Sequence, residues 1–198
     1  MLNIALVAGS SRVNSQSAKV ANFLRARLIE LGHTSSELST VIDLGTGPLP
    51  LWPADDSGPW AQYSAQLSAA DAVVIISPEW NGMASPAIKN FFIYASKTEL
   101  AHKPGLLVGV SASVGGSYPI SELRASGYKN CRLSYLPEHL IIRGVSNVLN
   151  SAQPANADDE RLFPRIDYAL DIFAKYGYAL RPVRASIDMN NPAFTNGM

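Results

Sequence analysis

Short continuous runs of apolar residues alternate along the chain with longer segments in which apolar residues recur every three or four positions. The short runs are typical of strands covered on both faces, and the longer spacing is typical of amphipathic helices. Five strands are predicted in this way, over residues 2–8, 39–44, 71–77, 105–110 and 139–142. Helices are predicted over residues 15–31, 58–70, 85–95, 119–126 and 158–178. This alternation indicates a parallel sheet with helices on both faces, a three-layer α/β sandwich.

The length of the chain limits the number of domains. Its 198 residues suffice for one domain and are too few for two full-sized hydrophobic cores. We therefore expect a single domain over residues 1–180. Residues 181–198 show weak periodicity and contain the sequence Asn190-Asn191-Pro192. They are expected to form a tail or an arm that packs on another subunit of an oligomer.

Composition and charge argue against several classes of function. Lys and Arg number 16, as do Asp and Glu, so the net charge is zero and nothing favours binding to a nucleic-acid backbone. No apolar run approaches the roughly 20 residues that cross a bilayer. The single cysteine and the three separated histidines offer no metal-ligand spacing. The first residues lead into a predicted strand without a basic export signal, so we expect a cytoplasmic protein with no metal, no nucleic-acid partner and no membrane span.

Candidate chemistry lies in three loops that follow the first, third and fourth predicted strands. Ligands of open parallel sheets bind beyond the carboxyl ends of the strands, where the strand order reverses. The first loop, Gly9 to Ser17, places several serines and Arg12 ahead of a helix, a donor set that suits a terminal phosphate. It matches neither the phosphate loop of nucleotide hydrolases nor the Gly-x-Gly-x-x-Gly turn. The alternative is that Ser15 or Ser17 only caps the helix and that Arg12 is solvated.

The second and third loops offer groups suited to a flat heterocycle. Trp80 presents a large ring beside Asn81 and Gly82, which provide an amide and a permissive backbone. The alternative is an Asn-Gly hairpin turn with Trp80 in the core, but a hairpin needs a returning strand, and a helix is predicted there instead. In the third loop, Gly115 and Gly116 allow backbone N–H groups to approach a ligand. Together the three loops predict a pocket for a phosphorylated planar ring.

These loops resemble the motifs of the NADPH-dependent FMN reductase family, which includes quinone, azo-dye and chromate reductases. The first loop is similar to the family pattern Gly-Ser-x-Arg-x-x-Ser-x-Asn/Ser, and the second to Pro-Glu-Tyr-Asn-Gly with a later Lys-Asn pair. The matching positions are Gly9, Ser10, Arg12, Ser15, Ser17, Pro78, Glu79, Asn81, Gly82, Ser85, Lys89 and Asn90. Trp80 stands where the family usually has tyrosine. The third loop is similar in kind, and the likeness covers residues 1 to about 145.

The resemblance implies a flavodoxin-like fold with strand order 2-1-3-4-5 and FMN as the bound cofactor. It implies an enzyme that passes hydride from NADPH or NADH through FMN to a small acceptor, by a ping-pong mechanism. The acceptors implied are free flavin, a quinone, an azo compound or chromate, and a homodimer or homotetramer is also implied. Because the flavin carries the chemistry, no catalytic side chain is expected. The implied cofactor-binding residues are Ser10, Arg12, Ser15, Gln16, Ser17, Pro78, Glu79, Trp80, Asn81, Gly82, Ser113, Gly115 and Gly116.

Two other functions fit the same topology less well. A flavodoxin that only carries electrons between proteins is usually strongly acidic, whereas this chain is neutral. A receiver domain needs acidic residues at the end of its first strand, where this chain has Gly9-Ser10-Ser11. The electron carrier remains the main alternative to the enzyme.

Overall fold

A computed structural model describes residues 1–194 of the chain. The strands in this part are β1 (Ile4–Ala8), β2 (Ser39–Asp43), β3 (Ala72–Trp80), β4 (Met83–Ala84), β5 (Pro104–Val110) and β6 (Ser134–Ile142). The helices are α1 (Gln16–Glu30), α2 (Trp60–Ala69), α3 (Pro86–Tyr94), α4 (Lys97–Leu100), α5 (Ser117–Ala125) and α6 (Ala157–Ser186), and a 3-10 turn spans Pro192–Phe194.

The main sheet has the strand order β2-β1-β3-β5-β6, and every neighbouring pair in it is parallel. The two-residue strand β4 pairs antiparallel with the end of β3. Counted over the five parallel strands alone, the order is 2-1-3-4-5, so the predicted flavodoxin-like α/β sandwich is confirmed. The direction of winding reverses between β1 and β3, which places the expected ligand crevice at their carboxyl ends.

Each face of the sheet carries its own hydrophobic core, because successive side chains of a strand point to opposite faces. Ile4, Leu6 and Ala8 of β1 pack in the core that α1 and α6 cover. Ala5 and Val7 pack in the core on the other face, which α2, α3 and α5 cover. All five residues of β1 are buried, which explains why this segment is apolar throughout.

The last helix is longer than its sequence pattern predicts. It was expected to end at residue 178, but α6 continues to Ser186, so residues 181–186 of the expected tail are helical. Pro182 lacks a backbone donor and weakens the local helix signal. Arg181 and Arg184 hold this turn against the sheet by hydrogen bonds to Asp71. Although α6 has 30 residues, neither it nor any other helix within residues 1–194 is apolar enough to cross a bilayer. Residues 195–198 of the expected tail lie outside the described part of the chain.

The strand β6 begins five residues earlier than predicted, at Ser134 rather than His139. The register between β5 and β6 is irregular, because Gly105 pairs with Tyr135 whereas Leu107 pairs with His139. The extra residues of β6 include a proline, which has no N–H to donate to a neighbouring strand. An edge strand with a bulge accommodates such a residue, and β6 is the last strand of the sheet.

Candidate functional site

The loops after β1, β3 and β5 converge on one cavity at the carboxyl edge of the sheet, which we call the loop cavity. Its lining residues are Ser10, Arg12, Ser15, Gln16, Ser17, Pro78, Glu79, Trp80, Val110, Ala112 and Val145. It therefore brings together all five predicted residues of the first loop and three of the five predicted in the second. Sequence reasoning missed Val110, Ala112 and Val145, although the first two stand at or just after the end of β5, where ligands of such sheets bind.

The amino end of α1 opens toward the loop cavity. Ser15 caps this helix, because its side chain accepts a hydrogen bond from the N–H of Ala18 at 3.1 Å. The two candidate caps are thus resolved in favour of Ser15. No acidic residue in the first turn offsets the positive end of the helix dipole. The hydroxyl of Ser17 is buried, with the residue 1% exposed, and has no hydrogen-bond partner within residues 1–194.

Gly9 brings the first loop close to β3. Its N–H donates to the carbonyl of Ile76 at 2.8 Å, and a Cβ at this position would lie 2.7 Å from that oxygen. Only glycine fits such an approach without movement of the backbone. The next residue, Ser10, is buried, and its hydroxyl accepts a hydrogen bond from the N–H of Arg12 at 3.2 Å. These contacts shape the loop that carries Arg12.

The second loop is a hairpin turn, contrary to the sequence prediction. Asn81 and Gly82 both have positive φ, 51° and 71°, which is the backbone of a two-residue hairpin turn. The returning strand β4 has only two residues, Met83 and Ala84, before α3 begins. A strand this short shows no periodicity, so the sequence pattern did not reveal it. Trp80, however, lies at the edge of the loop cavity rather than in the core.

Arg12 and Trp80 meet across the loop cavity. The central guanidinium carbon of Arg12 lies 4.9 Å from the centre of the Trp80 ring. This distance is in the range of a cation–π contact, and it links the first loop to the second. Arg12 is exposed to solvent, as the alternative interpretation of the first loop expected, but its guanidinium also contacts the ring of Trp80.

The carboxylate of Glu79 holds the third loop rather than facing the cavity freely. Its Oε2 accepts hydrogen bonds from the N–H groups of Gly116, at 2.6 Å, and of Tyr118, at 3.3 Å, at the start of α5. A Cβ on Gly115 would lie 2.6 Å from Oε1 of Glu79. Gly116 has a φ of 103°, which favours glycine. Gly115 and Gly116 thus surround the Glu79 carboxylate, and neither lines the loop cavity.

Two further predicted residues lie at the tip of the hairpin, where Asn81 and Gly82 are exposed. Lys89, a later residue of the same motif, helps to hold the hairpin in place. The ammonium of Lys89 donates to Glu122 at 2.9 Å, and Glu122 accepts from the N–H of Ala84 at 2.7 Å. These hydrogen bonds, the one from Lys89 above all, hold the pKa of the Glu122 carboxyl below its usual range. Lys89 and Glu122 together therefore fix the returning strand of the hairpin.

A second cavity is lined in part by residues next in sequence to those of the loop cavity, and we call it the arginine groove. Its walls include Ser113, Gly144 and three arginines from the end of β6 and from α6, namely Arg143, Arg161 and Arg165. The N–H of Gly144 donates to the carbonyl of Ser113 at 2.9 Å, so the loops after β5 and β6 are in contact there. Arg161 pairs with Asp158 and Arg165 with Glu138. Because these arginines are far apart in the sequence from the three loops, no motif indicated them.

The sequence profile of the NADPH-dependent FMN reductase family matches residues 2–145. The chain belongs to this family. The matched residues include β1 to β6 and all the loops that form the loop cavity. The expected family is thereby confirmed, and its description as NADPH-dependent FMN reductases agrees with the expected oxidoreductase, its FMN cofactor and its reduced nicotinamide co-substrate.

Individual relatives agree with this assignment, one by its sequence and two by their fold. The chain is 30% identical over 108 residues to an NADPH azoreductase from Bacillus sp. (strain OY1-2), a match that covers 52% of this chain and 60% of that protein. Among solved structures, the flavoenzyme NAD(P)H:(acceptor) oxidoreductase from Paracoccus denitrificans is 20% identical with a TM-score of 0.67, over 90% of this chain and 98% of that one. An oxidoreductase from Corynebacterium diphtheriae is 13% identical with a TM-score of 0.65, over 90% and 98% of the two chains.

Proposed function

We propose that this chain passes hydride from a reduced nicotinamide through bound FMN to a small acceptor, which is free flavin, a quinone, an azo compound or chromate. The nicotinamide and the acceptor occupy the same place in turn, which is a ping-pong mechanism. The observation that carries this proposal is the Ser17 hydroxyl, which is buried beside the loop cavity with no partner in residues 1–194. Buried hydroxyls are nearly always hydrogen-bonded, so an unpaired one on a residue that lines a cavity supports a ligand there.

The donors around that hydroxyl fit the phosphate of FMN. Ser10, Ser15 and Ser17 bring hydroxyls, Arg12 brings a guanidinium, and the start of α1 brings unpaired N–H groups and the positive end of a helix dipole. A phosphate that leaves water loses hydrogen bonds to its hydration shell and gains hydrogen bonds to these donors. The loop and the helix already hold the donors in place, so little rearrangement of the protein is needed. We therefore assign the phosphate of FMN to the first loop.

The residues of the second and third loops bind and orient the ring. Trp80 offers a flat apolar surface at the edge of the cavity, with Pro78 beside it. Glu79 acts indirectly, because its carboxylate positions Gly116 and the start of α5. When bound, FMN would supply the redox chemistry, which is acceptance of hydride and transfer of electrons. The chain itself therefore needs no general acid or base. Asn81, Gly82, Ser113 and Gly115 complete the ring site in this proposal.

The arginine groove suits the phosphate groups of the nicotinamide co-substrate. Ala112 and Val145 line the loop cavity, and the residues next to them in the sequence, Ser113 and Gly144, line the arginine groove. Arginine binds phosphate oxygens in a two-pronged geometry. We propose that Arg143, Arg161 and Arg165 hold the phosphates while the nicotinamide ring lies over the flavin.

A homodimer or homotetramer also belongs to this proposal. Four large apolar side chains in or directly after the three loops are exposed, namely Val13 (63%), Met83 (51%), Val114 (81%) and Tyr118 (63%). Exposed apolar residues grouped at one edge mark an interaction surface, and a second copy of the chain would cover them.

The proposal is tested by visible absorption of the purified protein after incubation with FMN and desalting, followed by anaerobic addition of NADPH and NADH in separate samples. We expect a retained flavin band that bleaches on addition of a reduced nicotinamide. A retained band that neither nucleotide bleaches would favour the flavodoxin-type electron carrier. Loss of the flavin on desalting would contradict the assignment of the loop cavity. Addition of each candidate acceptor to the reduced protein then identifies those that restore the band.

A Ser17→Ala variant separates binding from folding. Because the hydroxyl has no partner within residues 1–194, its removal should leave the unfolding free energy of the FMN-free protein unchanged or slightly raised. Its FMN affinity should fall by about 1.5–3 kcal/mol, the range for a hydrogen bond to a charged group, because the partner is the anionic phosphate. Urea unfolding and fluorescence titration with FMN measure the two quantities.

The control for this prediction is Ser15→Ala, whose hydroxyl caps α1. Loss of a cap costs about 1 kcal/mol of stability, so this variant should unfold more easily even without FMN. A Ser17→Ala protein that is destabilised without FMN and binds FMN normally would show that the hydroxyl has a structural role instead.

A further inference from the structure

A third cavity, distinct from the loop cavity and the arginine groove, lies at the opposite edge of the sheet from the loop cavity. We call it the basic cavity. Four cationic side chains line it, namely Lys97, Lys103, Arg181 and Arg184. Lys103 immediately precedes β5, so the basic cavity is at the amino end of that strand. The seven residues of β5 separate this end from the loop cavity by about 23 Å, at roughly 3.3 Å per residue. The basic cavity is therefore distinct from the flavin site.

Lys103 is buried with incomplete hydrogen bonding. It is 4% exposed, and its ammonium donates to the carbonyls of Leu67, at 2.5 Å, and Ser68, at 3.0 Å. An ammonium has three donors, and residues 1–194 supply no third acceptor. Lys19 shows the contrast, because its ammonium makes three such bonds, to two carbonyls and to the side chain of Asn150. The third donor of Lys103 is therefore available to a ligand in the basic cavity.

The positive charges of the basic cavity are not balanced within residues 1–194. Arg181 and Arg184 share a single carboxylate, that of Asp71, at N–O distances of 2.5 and 3.8 Å. Lys97 and Lys103 take part in none of the ion pairs within residues 1–194. The ammonium of Lys97 instead donates to the carbonyl of Met189 at 2.9 Å. Four cations thus line one cavity, and only two of them are paired with a carboxylate within residues 1–194.

Glu99 is the other carboxylate near these cations, and it is already occupied. Its oxygens accept hydrogen bonds from the hydroxyl and N–H of Ser96 and from the hydroxyl of Ser64. Burial lowers the pKa of Lys103 to about 8, Arg184 lowers it as well, and Asp71 and Glu99 oppose this only in part. A buried cation with a depressed pKa gains when an anion comes close.

We propose that the basic cavity binds an anion that carries a phosphate group. Two guanidinium groups and two ammonium groups match the charge and the many acceptor oxygens of a phosphate. The cavity has a volume of about 460 Å³, which exceeds that of free phosphate and falls in the range of small-molecule sites. The bound anion joins α4, α6 and the start of β5, so it stabilises the end of α6 on the sheet.

The test is calorimetric titration of the FMN-loaded protein with inorganic phosphate and, separately, with glycerol 3-phosphate, at constant ionic strength set with chloride. We expect binding of at least one of the two and a higher Tm in its presence than in chloride alone. Tighter binding of glycerol 3-phosphate identifies a phosphorylated metabolite as the ligand, and tighter binding of inorganic phosphate identifies the free ion.

Lys97→Met should weaken the binding roughly tenfold or more, as expected for loss of a charged hydrogen bond. Lys103→Met should do the same, and the flavin absorption of both variants should be unchanged.

Two controls keep this proposal separate from the proposed function. Lys129→Met removes an exposed lysine that lines neither cavity and should bind phosphate like the unaltered protein. Arg12→Ala alters the first loop alone, so phosphate binding that disappears in this variant would belong to the flavin site and would overturn the inference. Equal binding by Lys97→Met and by the unaltered protein, or no binding beyond chloride, would also overturn it. Arg12→Ala gives a readable result whether or not FMN binds.

Discussion

Replacing Arg12 with alanine is expected to weaken FMN binding by about 1.5–3 kcal/mol, the range for a hydrogen bond to a charged group. This corresponds to a rise in Kd of roughly 10- to 150-fold. Among residues 1–194, the guanidinium is the only cationic side chain that lines the loop cavity, so no described neighbour there replaces its charge. Fluorescence titration of the FMN-free protein with FMN, repeated at several salt concentrations, measures the effect.

The salt series and a second variant give this prediction its control. Lys129→Ala removes one exposed positive charge that does not line the loop cavity, and its FMN affinity should equal that of the unaltered protein. Riboflavin, which lacks the phosphate, should lose little affinity on the Arg12→Ala change. An equal loss for FMN and riboflavin would assign Arg12 to the ring through its contact with Trp80, and not to the phosphate.

Replacing Gly109 with alanine is expected to disturb both the core and the site. A Cβ on Gly109 would lie 2.0 Å from the carbonyl oxygen of Gly116 and 3.0 Å from its carbonyl carbon. Both atoms belong to the backbone, so the third loop must move away from β5. Overpacking of this kind costs about 1–3 kcal/mol of unfolding free energy. Since Gly116 also binds the carboxylate of Glu79, the displacement should reach the second loop and reduce FMN affinity as well.

The matched control for this variant is Gly105→Ala in the same strand. Its added Cβ would meet the side chains of Leu133 and Tyr135 at 3.0 to 3.1 Å, and side chains can adjust where backbone cannot. We expect a smaller loss of stability and unchanged FMN affinity for Gly105→Ala. Urea unfolding and FMN titration of both variants decide the matter. If Gly109→Ala bound FMN as tightly as Gly105→Ala, the third loop would not contribute to the flavin site.

The elements of the fold were predictable where burial alone determines the residue type. β1 is covered on both faces, so its five residues are apolar and the strand is evident from a local run. The edges of elements were less predictable. β4 has two residues, too few for any periodicity, and the hairpin that it forms was wrongly rejected. The end of α6 was also misplaced, because Asp71 stabilises its last turn from a position more than 100 residues away.

The site was predictable to the extent that it is made of contiguous loops. The first loop and the Pro78-Glu79-Trp80 segment were recognised from residue types and motif spacing, and the structure places them around one cavity. The orientation of Glu79 was not predictable, because its partners are backbone N–H groups of a loop nearly 40 residues later. The arginine groove and the basic cavity were invisible for the same reason.

The sequence by itself determined the layered fold, the family and the identity of the loops that carry the chemistry. These depend on patterns within about ten to twenty residues, where burial and turn geometry restrict which residues are possible. Only the tertiary structure decided which polar groups are satisfied and which are left for a ligand. Ser17 and Lys103 have unremarkable neighbours in the sequence, but folding buries both and leaves each with a donor unused within residues 1–194. Hydrogen-bond satisfaction depends on distant backbone, so it is settled only when the whole chain has packed.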